Sequence, residues 1–437
     1  MSVLPPQPID SPPAEPAPAT PLAPARIESI DVLRGFAMLG ILVVNVQSFA
    51  MIDAAYFNPT AYGDLSGANF WVWALTHVLA DQKLMTIFAL LFGAGVVLMA
   101  SGRERAGRSP AGAHYRRMAA LMVIGLLHAY CLWYGDILFT YALCGMAVYP
   151  LRRLRPAVLL PLALVLVAVP SLLFLGGAWS ARFWPPEAVA EFKAEALPPP
   201  SVVAEELAIY RGGWLRQMDH RAPASLYFQT FVFAMWSFWR AAGLMLAGMA
   251  LFKLGVFSAA RPRGFYVGLV LLGLFVGVPV VAYGAYRNFA AGWEPIYSFF
   301  VGAQYNYWAS LLVSLGWVGL VMLACRAGDR FSALTRPLAA VGRLALSNYL
   351  FQTLVCTTLF YGHGFGLFGK VQRIGQLGVV VAVWAVQLVL SSWYLRHFRI
   401  GPAEWVWRWV TNLQPPALRR DDSPAAAAPA AALQSGG

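Results

Sequence analysis

About ten apolar runs of 15 to 28 residues punctuate this 437-residue chain, and they leave few architectures open. A run of ~20 apolar residues matches the hydrocarbon thickness of a bilayer, whereas membrane β-strands need only about half that. Inside hydrocarbon a backbone amide must be satisfied within its own helix or a closed barrel, so runs of this length read as helices. The expected fold is all-α, a polytopic membrane helix bundle. Its ten crossings are expected at about 30–50, 84–101, 116–134, 137–151, 157–178, 225–252, 265–287, 298–324, 337–360 and 375–397. The stretch Asn69–Ala80 (NFWVWALTHVLA) is apolar but too short to cross, and its Trp and His suit an interfacial or re-entrant helix.

Composition agrees. Hydrophobic residues make up 59% and charged residues 12%, against about 45–50% and 25% in soluble domains. Residues 1–25 are Pro/Ala-rich, lack the basic start and apolar core of a cleavable signal, and are expected to be disordered. Residues 26–412 form the transmembrane domain, with 179–224 as an outer loop carrying five basic and six acidic residues, and 413–437 repeat the disordered character.

The net charge of +12 is distributed as a topology signal. With the N-terminus inside and ten crossings, cytoplasmic segments carry 22 of the 32 Lys and Arg residues, outer segments nine, and Arg240 lies within a span. That asymmetry predicts N-in and C-in, and it directs the basic surplus to anionic lipid, with no nucleic-acid partner. Cys131, Cys144, Cys325 and Cys356 sit in or beside apolar runs without CxxC or Cys/His spacing, so neither disulfides nor a metal site is expected.

Ionisable groups at membrane depth cost several kcal/mol unless paired or wetted, so each marks a candidate site. Asp31 and Arg34 lie three residues apart at the start of the first span and can pair on one face, either as a helix start or as a grip on an anionic substrate. Asn45 lies farther along the same helix. His128 stands in GLLHAYCLWYGDILFTYALCG, with an imidazole suited to general-base work or to a buried hydrogen bond. Asp136 is placed to orient it, provided the chain bends near Gly135; it is equally placed to cap the next helix. Arg240 lies midway along its run with Trp236 and Trp239 nearby, serving either a substrate anion or a structural ion pair. Asn348, Gln352 and Cys356 repeat every four residues as a polar stripe, facing a wet cavity or another helix.

Four stretches in order resemble the YeiB-like family of bacterial inner-membrane proteins: SIDVLRGFAMLGILVVNV, DQKLMTIFALLFGAG, GLLHAYCLWYGDILFTYALCGM and GRLALSNYLFQTLVCTTLFYGHGFGLFG, the last followed by RHFRIGPAEWVWR. The resemblance spans about residues 26–412 and implies a multi-pass inner-membrane protein without an established substrate. A more distant likeness is to the transmembrane acyltransferases, including the heparan-glucosaminide acetyltransferases, through Asp31, Arg34, Gly35 and Asn45. That superfamily uses a histidine for acyl transfer. One branch carries it eleven residues after the Arg, where this chain has Asn45, and another in the loop after the first helix, where Met51–Phe70 has none. His77 and His128 are the histidines left for the role.

Two functional expectations follow. In the first, an acyl-CoA substrate is bound near Arg34 and the Arg103–Arg117 cluster, no cofactor being held permanently, and His128 with Asp136 deprotonates an outer-side acceptor. In the second, a small anionic or lipid-linked solute passes along Arg240 and the Asn348–Gln352 stripe. A purely structural role for these polar groups is the third possibility.

Overall fold

A computed structural model describes residues 27–420. The expectation for residues 1–25 lies outside the described residues, as does residues 421–437 of the tail. Among the described residues the secondary structure is helical, apart from one isolated antiparallel bridge between Phe398 and Arg419.

The first half comprises α1 (Glu28–Ala50), the short α2 (Ala54–Phe57), α3 (Gly67–Leu79), α4 (Lys83–Arg105), α5 (Ala111–Cys131), α6 (Leu138–Val148) and α7 (Pro156–Ser180). A helical cap follows, made of α8 (Pro186–Ala196), α9 (Pro200–Tyr210) and α10 (Met218–Tyr227). The chain then runs through a π-helical segment, Phe228–Ser237, into α11 (Phe238–Lys253). The remainder is α12 (Arg263–Leu272), α13 (Val278–Ala290), α14 (Ala303–Arg326), α15 (Ser332–Arg343), α16 (Ala345–Phe360), α17 (Arg373–His397) and α18 (Pro402–Asn412). Among the described residues seven segments are long and apolar enough to cross a bilayer, so the fold is an all-helical membrane bundle.

Burial sorts the spans. Over its most apolar 18 residues α1 is 67% buried, whereas the same stretch of the Pro156–Phe183 segment and of α17 is 28% buried and that of the Arg263–Ala290 segment 22%. The outer helices present Leu172, Phe275 and Val389, each more than two-thirds exposed, and such a surface requires lipid. Helix α3 has 13 residues, a rise of about 20 Å that is too short to cross. It is separated from α4 by Gln82, whose φ of 63° breaks the helix.

The core helices touch backbone to backbone. A Cβ on Gly93 of α4 would overlap the carbonyl of Met245 in α11, and one on Gly248 would overlap that of Leu90 in return. Small residues allow this approach in a membrane, where packing rather than water exclusion holds helices together.

The expected helix 337–360 is corrected. It begins at Ser332 and breaks at Leu344 into α15 and α16. Glu404 of α18 explains the break: its Oε1 accepts from the backbone N–H groups of Leu346 (2.7 Å) and Ser347 (3.1 Å), and its Oε2 accepts from the Ser347 hydroxyl. A buried carboxylate thus satisfies the free amides that open α16. After α18 the chain returns to α17, where Arg399 N–H donates to Leu418 O and Arg420 N–H to His397 O.

Candidate functional site

The turn between α5 and α6 builds the first element. Helix α5 ends at Cys131, with the amides of Leu132 and Trp133 both closing on His128 O. Gly125 lets the returning chain come close, since a Cβ there would lie 2.8 Å from Asp136 Oδ1. Asp136 Oδ1 accepts from Phe139 N–H at 2.9 Å, opening α6. Its Oδ2 lies 2.9 Å from His128 Nδ1, and both side chains are 1% exposed. This is an ion-pair distance without hydrogen-bond alignment, and neither atom has another hydrogen-bond partner. The other ring nitrogen, Nε2, lies 2.9 Å from the Thr353 hydroxyl of α16. Carboxylate, imidazole and hydroxyl from three segments therefore stand in a row.

Asp136 also lines a cavity of about 1630 Å³, larger than the roughly 300–1,000 Å³ of common ligand pockets. At the end where α1 begins, its walls carry Arg34, Arg103, Arg117, Arg343 and Arg408, with His114. The amphipathic α18 helps to form this mouth: Arg117 stacks 4.2 Å over the Trp407 ring, and Trp407 Nε1 donates to Arg117 O. Arg34 pairs with Asp31 at 3.0 Å. Asp136, Tyr141, Tyr349 and Arg240 line the middle, and Asn45, Asp53, His77, Asp81, His220 and Asn306 the opposite end. His128 stands behind this wall, against Asp136 and with its ring 4.9 Å from that of Tyr349.

Arg240 is the third residue after the π-helical segment, several of whose side chains also face the cavity. It is 1% exposed. Its guanidinium donates to Tyr307 O (3.2 Å), Ser310 Oγ (2.8 Å) and Thr86 Oγ1 (3.4 Å), and lies 4.3 Å over the Tyr307 ring. Among the described residues no carboxylate is within ion-pair distance of it, and its Nε has no hydrogen-bond partner. The ion-pair alternative for Arg240 is therefore absent from the structure, while the cavity wall is where it stands.

Asn348 and Gln352 face other helices. Asn348 donates to Val341 O and Ser391 Oγ and accepts from Gln387, while Gln352 donates to Gln387 Oε1 and Met38 O. These two join α16 to α17 and α1 rather than lining the cavity.

Sequence reasoning missed two clusters. In the break before α4, the buried Lys83 donates to His77 O (2.6 Å) and Asn306 Oδ1 (2.5 Å), Asn306 donates to Asp81 Oδ2 (2.8 Å), and His77 Nδ1 lies 3.4 Å from that same oxygen. Charged residues dividing a 39-residue apolar segment were the available signal. The second cluster joins three distant segments. Asp53, just past α1, accepts from the Tyr134 hydroxyl and places Oδ2 3.5 Å from His220 Nε2, and its N–H donates to Glu206 Oε1 at 2.9 Å. Asp53 keeps 35% of its side-chain surface, directed to the cavity. Enclosure raises its pKa, against the opposing pull of His220 and Tyr134. Glu206 is pushed up to about 8, first by burial and then by the Asp53 charge. Helix α10 thus brings His220 against the loop that follows α1.

Residues 251–414 match a family model described as "Protein of unknown function (DUF418)". The chain is similar to the uncharacterized protein YeiB of Escherichia coli, 33% identical over 397 residues, which cover 88% of this chain and 96% of that one. It is also similar to the uncharacterized protein YxaH of Bacillus subtilis, 29% identical over 408 residues, covering 89% of this chain and 94% of the relative. A 39.9 kDa protein encoded beside an amylase in Bacillus acidopullulyticus is 25% identical over 399 residues, with 91% and 97% covered. Identity at this level over nearly the whole of both chains means that the chain belongs to the YeiB-like family of integral membrane proteins.

Proposed function

We propose that this protein is a transmembrane acyltransferase of the bacterial inner membrane, moving an acyl group from a cytoplasmic donor such as acyl-CoA to an outer-side acceptor. In this reading α5, α6 together with the 3-10 turn that extends it to Arg153, and the consecutive α15 and α16 cross along with the seven longer segments, giving ten crossings with both termini inside, as the Lys/Arg asymmetry indicates. The observation that carries it is the cavity, which has five arginines at one mouth and the Asp136 carboxylate, backed by His128, on its wall. Arginines at the mouth suit the phosphates of the donor, and the depth beyond suits its acyl arm. The acceptor oxygen or nitrogen attacks the thioester carbonyl, the new acyl bond forms and the carbon–sulfur bond breaks. The acceptor proton passes to the Asp136–His128 pair and then to the departing thiolate. Arg240 offers its positive charge to the carbonyl oxygen as negative charge develops there.

The test is calorimetric titration of acetyl-CoA into the detergent-purified chain. Saturable binding is expected, weakened about tenfold or more by Arg117→Ala, together with slow hydrolysis that His128→Ala abolishes. No saturable interaction at millimolar donor, with His128→Ala indistinguishable from wild type, would end this reading.

One observation favours a second reading. A buried arginine on a cavity wall without a carboxylate partner also suits passage of a small anionic or lipid-linked solute. Solute counterflow in liposomes, abolished by Arg240→Ala, would support transport, and full flux in that variant would contradict it.

A further inference from the structure

The cluster of Asp53, Glu206 and His220 has the donor set and placement of a metal centre. We propose that these three side chains bind one divalent transition-metal ion, zinc being the best fit, at the end of the cavity opposite the arginines. The inference does not rest on the acyl-transfer reading.

Each residue offers one ligand atom, and the three atoms all lie within 4.8 Å of one another. Bonds of about 2.0–2.2 Å to a common tetrahedral centre separate ligand atoms by roughly 3.5 Å. Asp53 Oδ2 and His220 Nε2 are already 3.5 Å apart, and side-chain rotation brings the third into range. The ligands are held from behind, as metal ligands are. The Tyr210 hydroxyl lies 3.0 Å from His220 Nδ1, which turns Nε2 toward Asp53. The Tyr134 hydroxyl holds Asp53 Oδ1, and the Asp53 N–H holds Glu206 Oε1.

Charge supplies a second, independent argument. Among the described residues neither carboxylate has a lysine or arginine within ion-pair distance, so a metal ion that takes the place of the Glu206 proton meets no competing fixed cation. The chemistry then narrows the ion. Calcium and magnesium prefer all-oxygen shells, whereas one imidazole with two carboxylates suits zinc or manganese and leaves a position for water or substrate. Asp53 and His220 both line the cavity, which puts that open position within reach of its contents. The ion would also clamp α9 and α10 of the cap to the end of α1, since its ligands come from all three places.

Full-length protein in detergent, stripped with a chelator and dialysed, is titrated separately with zinc, manganese and calcium ions. The expected result is one zinc ion per chain, bound tightly enough to withstand dialysis and raising the midpoint of thermal unfolding. Affinity should fall about tenfold or more in His220→Ala and in the isosteric Glu206→Gln. Manganese is expected to bind more weakly than zinc, and calcium not at all. Wild-type protein that binds no zinc, binds calcium in preference, or binds zinc equally well in Glu206→Gln and His220→Ala would overturn the proposal. Because the readout is metal binding, it remains decisive whether or not acetyl-CoA binds.

Discussion

His128 Nδ1 and Asp136 Oδ2 lie 2.9 Å apart, although eight residues on a straight helix would be separated by ~12 Å. The chain closes that gap by ending α5 at Cys131 and folding back before Leu138. Asp136→Ala removes both the partner of the imidazole and the cap on Phe139. The expected cost is about 3 kcal/mol, read from denaturant unfolding in detergent. Asp136→Asn keeps an acceptor for the cap and should lose less stability, while both variants should lose the proposed acyl transfer. Equal stability in Asp136→Ala and wild type would show that the pair does not support the fold.

Glu404 ties α18 to the first turn of α16 through two backbone amides and a hydroxyl. In Glu404→Ala those amides stay enclosed without acceptors, at a cost of about 2 kcal/mol. Glu404→Gln retains an acceptor and should show roughly half that loss. Thermal unfolding of the two variants beside wild type checks the order.

Gly93 and Gly95 share one face-to-face comparison on α4. A Cβ at Gly93 would run into the Met245 backbone, whereas a Cβ at Gly95 would meet nothing within 4 Å. Gly93→Ala is expected to destabilise by about 1–3 kcal/mol through overpacking. Gly95→Ala should be neutral or stabilising by up to ~1 kcal/mol through helix propensity. Equal effects in the two variants would contradict the backbone contact between α4 and α11.

The raised pKa of Glu206 gives a signed pH dependence. Its carboxyl is protonated in the folded chelator-treated protein up to about pH 8, but ionises near pH 4.5 when unfolded. The folded state therefore holds the proton that the unfolded state has lost. The contribution is fully present below pH 4.5, and it declines as pH rises toward and through about 8. Glu206→Gln should flatten that decline. A thermal midpoint series between pH 5 and 9, with identical slopes for both proteins, would contradict the burial of this acid.

The membrane bundle was legible because apolar run length is a direct reading of bilayer thickness: the expected runs fall on helices, and among the described residues seven segments are long and apolar enough to cross. The break at Leu344 was not, because it is imposed by Glu404 from sixty residues downstream and leaves no local mark on a helix-compatible sequence. Arg240 stood out alone as a charge in an apolar run, and it lies on the cavity wall. Asn348 and Gln352 carried an equally plain periodicity, yet a polar stripe has the same pattern whether it faces water or a neighbouring helix. Here it meets Gln387 and Ser391 of α17. The association of Asp53 with Glu206 and His220 depends on how the cap folds over the end of α1, which no local spacing encodes.

The central proposal is that one cavity receives an acyl donor through its arginine-lined mouth and holds the thioester beside Asp136 and His128, where the acceptor takes up the acyl group and gives up its proton. A structure determined with saturating acetyl-CoA tests it most directly. The account predicts phosphate density beside Arg34, Arg117 and Arg343, with the thioester reaching toward Asp136 and Arg240. Density for the donor at any other surface, or an empty cavity at saturation, would contradict it.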